Sequence, residues 1–203
     1  MRYTVDMKPE IEVKFLDVNH AVLRERLQNL GGECVQPVRL MRRKNFNQPD
    51  GSLEAKGGWV RVRDEGNKVT LAYKQLNNRE VDGTHEVSVT VSSFAETAEI
   101  LQRAGLQQTS YQETKRESWR LGDIEIELDE WPWVKPYIEI EGADKSSLKS
   151  ISSQLGFDWN DAKYGSVEVV YAAEYDVTDE EIDTIPSITF SEPVPDWLEA
   201  KRR

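Results

Sequence analysis

Residues 10–15 read Glu-Ile-Glu-Val-Lys-Phe, a strict alternation of ionised and apolar side chains. A period of two belongs to a β-strand. Glu10, Glu12 and Lys14 therefore share one face, and Ile11, Val13 and Phe15 share the other. The pattern recurs along the chain. Arg61 and Arg63 alternate with Val60 and Val62, Glu125, Glu127 and Asp129 with Ile126 and Leu128, and Glu139 and Glu141 with Ile138 and Ile140. Such strands must assemble into a sheet that segregates charge from hydrocarbon. The ordinary solution leaves the charged face in water. Two features argue for a different one. Whole strands carry a single sign, and like charges in a row repel unless partners or ligands compensate them. The acidic and basic rows also lie on different strands, so a sheet curling on itself would bring them together round an interior cavity.

The remaining sequence supplies that sheet. Strands are predicted at 10–16, 35–46, 59–64, 69–74, 85–91, 111–120, 124–129 and 137–141. Turn signals separate them at Gln48-Pro49-Asp50-Gly51, Glu65-Gly66-Asn67 and Leu121-Gly122-Asp123. Helical spacing follows Asn19 to residue 30, and again at 94–104 and 146–155, with Gly31, Gly105 and Gly156 as stops. The aromatic and proline-rich stretch 130–136 reads as loop or edge. The order is β-α-β-β-β-β-α-β-β-β-α, an α+β class with mostly antiparallel neighbours. Residues 1–170 form one predicted domain; 171–203 read as an extension packing on that domain or on a partner, with a short acidic helix at 178–182 and a strand at 187–190.

Composition narrows the function. The net charge of −11 argues against a general nucleic-acid binder, although basic residues concentrate between Arg39 and Lys74 and at Lys115-Arg116. No apolar run approaches the roughly 18 residues of a membrane span, and residues 1–8 lack a secretory apolar stretch. The single cysteine, Cys34, has no intrachain disulfide partner, fits a reducing cytoplasm, and is expected to pack as a small apolar residue. His20 and His85 have no metal-ligand company, and no P-loop or dinucleotide fingerprint is visible. Carboxylate clusters without His or Cys suit Mg²⁺ or Mn²⁺ rather than Zn²⁺. Arginine forks suit the oxygens of a polyphosphate. Arg42 and Lys44 share a face of their strand, and either is expected at the cavity mouth.

At this point Glu10-Ile-Glu-Val-Lys14 resembles the ExExK signature of the CYTH superfamily, the triphosphate tunnel metalloenzymes. That group includes class IV adenylyl cyclases, thiamine triphosphatases and tripolyphosphatases. Later segments resemble the family in the same order: Trp59-Val-Arg-Val-Arg63, Leu71-Ala-Tyr-Lys74, Thr114-Lys-Arg-Glu-Ser-Trp119, Glu127-Leu-Asp129, Tyr137-Ile-Glu-Ile-Glu141, and Lys163 near the end. The chain departs from the pattern at Thr84-His85-Glu86, at Ser88, and in the proline-rich linker 130–136.

The resemblance implies an eight-stranded antiparallel β-barrel with flanking helices, enclosing a triphosphate tunnel. It implies phosphate binding by Lys14, Arg61, Arg63, Lys74, Arg116 and Lys163, with Arg116 rather than Lys115 inside. It implies Mg²⁺ or Mn²⁺ on Glu10, Glu12, Glu127, Asp129, Glu139 and Glu141, with Glu10, Glu12 and Lys14 central to catalysis. The implied activity is metal-dependent hydrolysis of a triphosphate, inorganic or organic. The alternatives are ATP cyclisation to cyclic AMP and pyrophosphate, or a non-catalytic module binding polyphosphate or nucleotide. The expected partner is a small-molecule triphosphate, with neither nucleic acid nor membrane; a homodimer is left open.

Overall fold

The structure, a computed structural model, describes residues 7–203. Among them lie ten strands and six α-helices. In chain order they are β1 (Lys8–Glu10), β2 (Glu12–Leu16), α1 (His20–Asn29), β3 (Glu33–Asn47), β4 (Gly58–Asp64), β5 (Val69–Leu76), β6 (Thr84–Val91), α2 (Phe94–Arg103), β7 (Gln107–Leu121), β8 (Ile124–Glu130), β9 (Tyr137–Glu141), α3 (Lys145–Gln154), α4 (Glu168–Glu174), α5 (Asp179–Asp183), β10 (Ser187–Ile188) and α6 (Asp196–Glu199). The three long helices start where the sequence places their caps. Asn19, Ser93 and Asp144 each accept a backbone N–H of the first turn.

One sheet holds every strand, in the order β1-β6-β5-β4-β3-β7-β8-β9-β2, with the short β10 parallel to β7. The hydrogen-bonded path does not close ladder to ladder. Its two ends, β1 and β2, are successive pieces of one segment interrupted at Ile11. The first piece pairs with β6 (Glu10 opposite Thr84) and the second with β9 (Lys14 opposite Glu139). Counted as a single interrupted strand, they leave eight strands round the interior, as the sequence predicts. The break has a cause in hydrogen bonding. Around Ile11 the chain leaves one ladder for the other, and its backbone groups turn elsewhere: Glu12 donates its N–H to the Val81 carbonyl, and Gly142 donates to the Ile11 carbonyl.

The hydrophobic faces point outward, beneath helices. Val13, Phe15, Ile126, Leu128, Ile138 and Ile140 form one core with Leu23 and Leu27 of α1 and Leu148 of α3. Phe46 and Val62 pack under Ala98 of α2. Fully burying each such side chain stabilises by about 1.5–3 kcal/mol, so these helices supply the driving force for a sheet whose other face is ionised. Segment 171–203 adds a third cluster. Tyr171, Tyr175, Ile182, Ile185, Ile188 and Leu198 gather there with Trp131 and Tyr137. The buried hydroxyl of Tyr171 donates to the Pro132 carbonyl, and that of Tyr175 to the Trp133 carbonyl. The linker is therefore fixed from outside, by tyrosines far along the chain.

Several expectations need correction. β3 and β7 each run 15 residues, longer than predicted, because they pair with one another along almost their whole length. The strand expected at 187–190 is two residues long. Helices α4 and α6 were not expected. Cys34 lies exposed on β3 rather than packed in the core. Its neighbours in the strand, Glu33 and Val35, are exposed too.

Candidate functional site

The inward face of the sheet lines a cavity of about 440 Å³. Nine of the sequence-predicted residues reach it: Glu10, Glu12, Lys14, Arg61, Arg63, Lys74, Arg116, Glu139 and Glu141. Cross-strand register explains the convergence. Opposed residues in an antiparallel pair point the same way, and Lys14 faces Glu139, Glu12 faces Glu141, Arg116 faces Asp129, and Lys74 faces Glu86.

On one wall the charges interlock. The buried Lys14 ammonium lies 2.7 Å from Glu12 and 3.3 Å from Glu139. Burial alone would lower its pKa; Glu12 and Glu139 outweigh that and raise it. Arg116 grips Asp129 through both carboxylate oxygens, with Nε 2.7 Å from Oδ1, and reaches Glu139 at 2.6 Å. Burial again works against the charge, but Asp129 and then Glu139 raise the Arg116 pKa well above its ordinary value. Burial, joined by repulsion from Glu139, raises the Asp129 carboxyl pKa against the two-point grip of Arg116. Glu139 is opposed by burial in the same way, yet Lys14 and Arg116 hold it well below the usual carboxylate range.

On the facing wall Lys74 lies 2.6 Å from Glu10 and 3.1 Å from Glu86. Lys74 and Arg61 overcome the desolvation of Glu86 and bring it down to about 2. Arg61 approaches Glu86 only to 3.4 Å, while Arg63 donates to Glu65 at 2.7 Å.

Three predicted residues do not line the cavity. Asp129 is wholly buried behind Arg116. Glu127 accepts from the Ser118 hydroxyl at 2.6 Å. Lys163 meets Lys14 through two backbone hydrogen bonds of 2.9 Å, and its own side chain is exposed. Arg116 does face inward and Lys115 outward, where it lies over Phe190.

The sequence reading missed Glu86 and Arg43, and also the acids Glu54, Glu168, Asp179, Glu180 and Asp183 that line the same cavity. Glu86 joins Lys74 and Arg61, and register alone reveals it, since it stands directly opposite Lys74. Arg43, rather than Arg42 or Lys44, is the base of β3 that lines the cavity; Arg42 pairs with Asp64 outside, and Lys44 lies over Phe94. Phe46 carried the missing signal. It belongs to the outer core with Val62, so Lys44 and Arg42, which share its parity, point outward as well.

The donor chemistry suits a hard divalent cation. Glu12 and Glu141 stand directly opposite one another with Glu10 nearby. Desolvation, then repulsion from Glu10 and Glu12, pushes the Glu141 carboxyl up to about 7, and its contact with water at the rim only partly screens this. Like charges held together on a rigid sheet favour an added cation. As they stand, no three acidic groups among the described residues converge on one point; Glu10, Glu12 and Glu139 are turned to lysine or arginine.

Comparison with known proteins decides the family. The profile of the CYTH domain matches residues 8–165. The chain belongs to the CYTH family. Solved structures agree on the CYTH fold. A Vibrio parahaemolyticus protein provisionally described as an adenylate cyclase superposes with a TM-score of 0.71 at 14% identity, over 82% of this chain and 99% of that one. A Pyrococcus horikoshii protein gives 0.65 at 20%, over 76% and 94%. A Hippeastrum protein, provisionally an adenylyl cyclase and reported to have a dominant triphosphatase activity, gives 0.54 at 16%, over 86% and 94%. No curated protein matches the sequence. At these identities the likeness to solved structures speaks for the CYTH fold alone. Among the described residues, no helix of the CYTH chain is long and apolar enough to cross a membrane.

Proposed function

We propose that this chain is an enzyme that hydrolyses a triphosphate in the presence of Mg²⁺ or Mn²⁺, with the reaction inside the charged cavity. The observation that carries the reading is the opposition of the two walls. Surplus carboxylates stand on β2 and β9, and surplus guanidinium groups on β3 and β4. A metal–polyphosphate pair complements both, whereas a simple anion gains nothing from Glu10, Glu12 and Glu141.

The roles follow from position. Glu10, Glu12, Glu139 and Glu141 would hold the cation, which would supply Lewis-acid offset of the charge that develops on the phosphate in the transition state. Lys14, Arg61, Arg63, Lys74 and Arg116 fix the phosphate chain and stabilise the leaving group. Asp129 and Glu127, behind Arg116, orient that guanidinium instead of facing substrate. A carboxylate of the acidic wall orients the attacking water, and no covalent nucleophile is needed. Those carboxylates act on the phosphorus end whatever the triphosphate carries.

A second reading, ATP cyclisation, draws support from Trp59 and Leu76, which line the same cavity and would seat a nucleobase. One experiment separates the readings. The protein is incubated with tripolyphosphate, ATP and thiamine triphosphate, each with Mg²⁺ or Mn²⁺, and products are identified by phosphorus NMR. Orthophosphate is expected. Cyclic AMP and pyrophosphate from ATP would favour the cyclase, and unchanged substrates would leave a binding module.

A further inference from the structure

Arg43 has an unusual environment. Its side chain is 92% buried, given a relative exposure of 8%, and no carboxylate pairs with it among the described residues. One terminal N–H donates to the Thr114 hydroxyl at 2.9 Å. The guanidinium lies 4.5 Å from the centre of the Trp131 ring. Its Nε–H has no partner, and neither has the Nε–H of Arg61, which is buried to the same degree. Register places Arg43 directly opposite Arg63 on β4, a like-charge pairing that works against the sheet. Desolvation, then repulsion from Arg61, Arg63 and Arg116, brings Arg43 down to about 9. Stacking on Trp131 offsets only part of the cost of a buried, unpaired charge. Convergent, unpaired donors of this kind suit an anion.

We propose that Arg43, backed by Trp131 and Thr114, is a further phosphate-binding residue of this cavity and forms with Arg61 and Arg63 a subsite for one phosphoryl group, either free orthophosphate or the terminal group of a condensed phosphate. A tetrahedral oxyanion accepts N–H donors from several directions, so it satisfies convergent guanidinium groups better than a planar carboxylate, which fills one fork. Arg43 stands outside the basic set assigned to the phosphate chain above. The subsite rests on the reading of the cavity as a phosphate site only where a condensed phosphate is its ligand.

The test uses the full chain in EDTA, comparing wild type with Arg43→Met and Arg43→Lys. Without phosphate, Arg43→Met should melt at or above the wild-type temperature, because the substitution relieves repulsion. With orthophosphate the wild type should gain more in melting temperature than Arg43→Met; general salt stabilisation acts on both alike and cancels in the difference. By calorimetry, Arg43→Met should bind tripolyphosphate about tenfold to a hundredfold more weakly, the loss of a charge-assisted contact. Arg43→Lys should fall between, keeping charge but losing fork and stack. Equal gains from orthophosphate in wild type and Arg43→Met, or a lower phosphate-free melting point for Arg43→Met with unchanged tripolyphosphate affinity, would overturn the subsite and leave the triphosphatase proposal standing. An orthophosphate difference in a protein that turns over no triphosphate would support the subsite and sink that proposal instead. Should Arg43→Met fail to fold, Thr114→Val removes only the supporting hydroxyl. It should reproduce the orthophosphate difference in reduced size, and an unchanged response would count against the subsite.

Discussion

The two walls of the cavity solve the same problem differently. Where β2, β7, β8 and β9 meet, each base is held by at least two acids: Lys14 by Glu12 and Glu139, Arg116 by Asp129 and Glu139. Where β3 and β4 meet, Arg43 has no acidic partner, Arg61 has one at 3.4 Å, and Arg63 has Glu65. The first wall carries an excess of carboxylate and the second an excess of guanidinium. Each is incomplete alone, and the complement of one resembles the other displaced across the cavity. A rigid sheet keeps them from collapsing together. That separation is what a site for a metal-bound anion requires.

The largest effect should come from the carboxylates placed to hold the cation. Glu10→Gln or Glu12→Gln keeps shape and removes one negative charge, and metal-dependent phosphate release should fall at least about a hundredfold. Near-normal release by both variants would refute the metal role of these residues.

Stability should separate the walls next. Arg116→Met leaves Asp129, fully buried, without its cation, and should cost about 3–5 kcal/mol in urea unfolding. Arg61→Met on the other wall removes a crowded charge whose single ion pair, to Glu86, is a long 3.4 Å, and in phosphate-free buffer should cost far less. Equal losses would show that both walls are neutralised alike, and the contrast drawn here would disappear.

The C-terminal extension offers a comparison by pH. Asp183 of α5 has desolvation, then Glu168, Glu54 and Glu180 against its charge, and its carboxyl is raised to about 7. An acid whose folded pKa lies above its unfolded value binds more protons folded than unfolded. Its stabilising contribution is therefore complete below about pH 4 and is lost as pH rises through about 7. Asp183 also touches solvent, which moderates the effect. Between pH 5 and 8 the melting temperature of Asp183→Asn should fall less than that of wild type. Parallel curves would mean that the acids round α5 do not sense one another.

How much of this was legible in the sequence differs between the walls as well. The acidic strands and the pair Arg61/Arg63 were readable because aliphatic residues alternate with them and fix their parity. Arg43 was not, because Arg42-Arg43-Lys44 is a run of bases with no aliphatic residue inside it; only Phe46 sets the face, and only once the outer core is known. Glu86 needed register with Lys74. The burial of Trp131 depends on Tyr171 and Ile182, 40 or more residues away, and no local pattern encodes that.

The smallest effect should be at Lys163. The sequence places a base there beside the others, but the structure ties only its backbone to Lys14 and leaves the ammonium exposed, with no ion pair among the described residues. Exposed positions of this kind usually change stability by no more than about 0.5 kcal/mol. Lys163→Met should therefore keep turnover and tripolyphosphate affinity within about twofold, since 0.5 kcal/mol is little more than a factor of two. A tenfold rise in KM at unchanged kcat would mean that the side chain folds over the bound anion. Lys163 would then join the under-neutralised wall, whose surplus of positive charge would be larger than the unliganded arrangement displays.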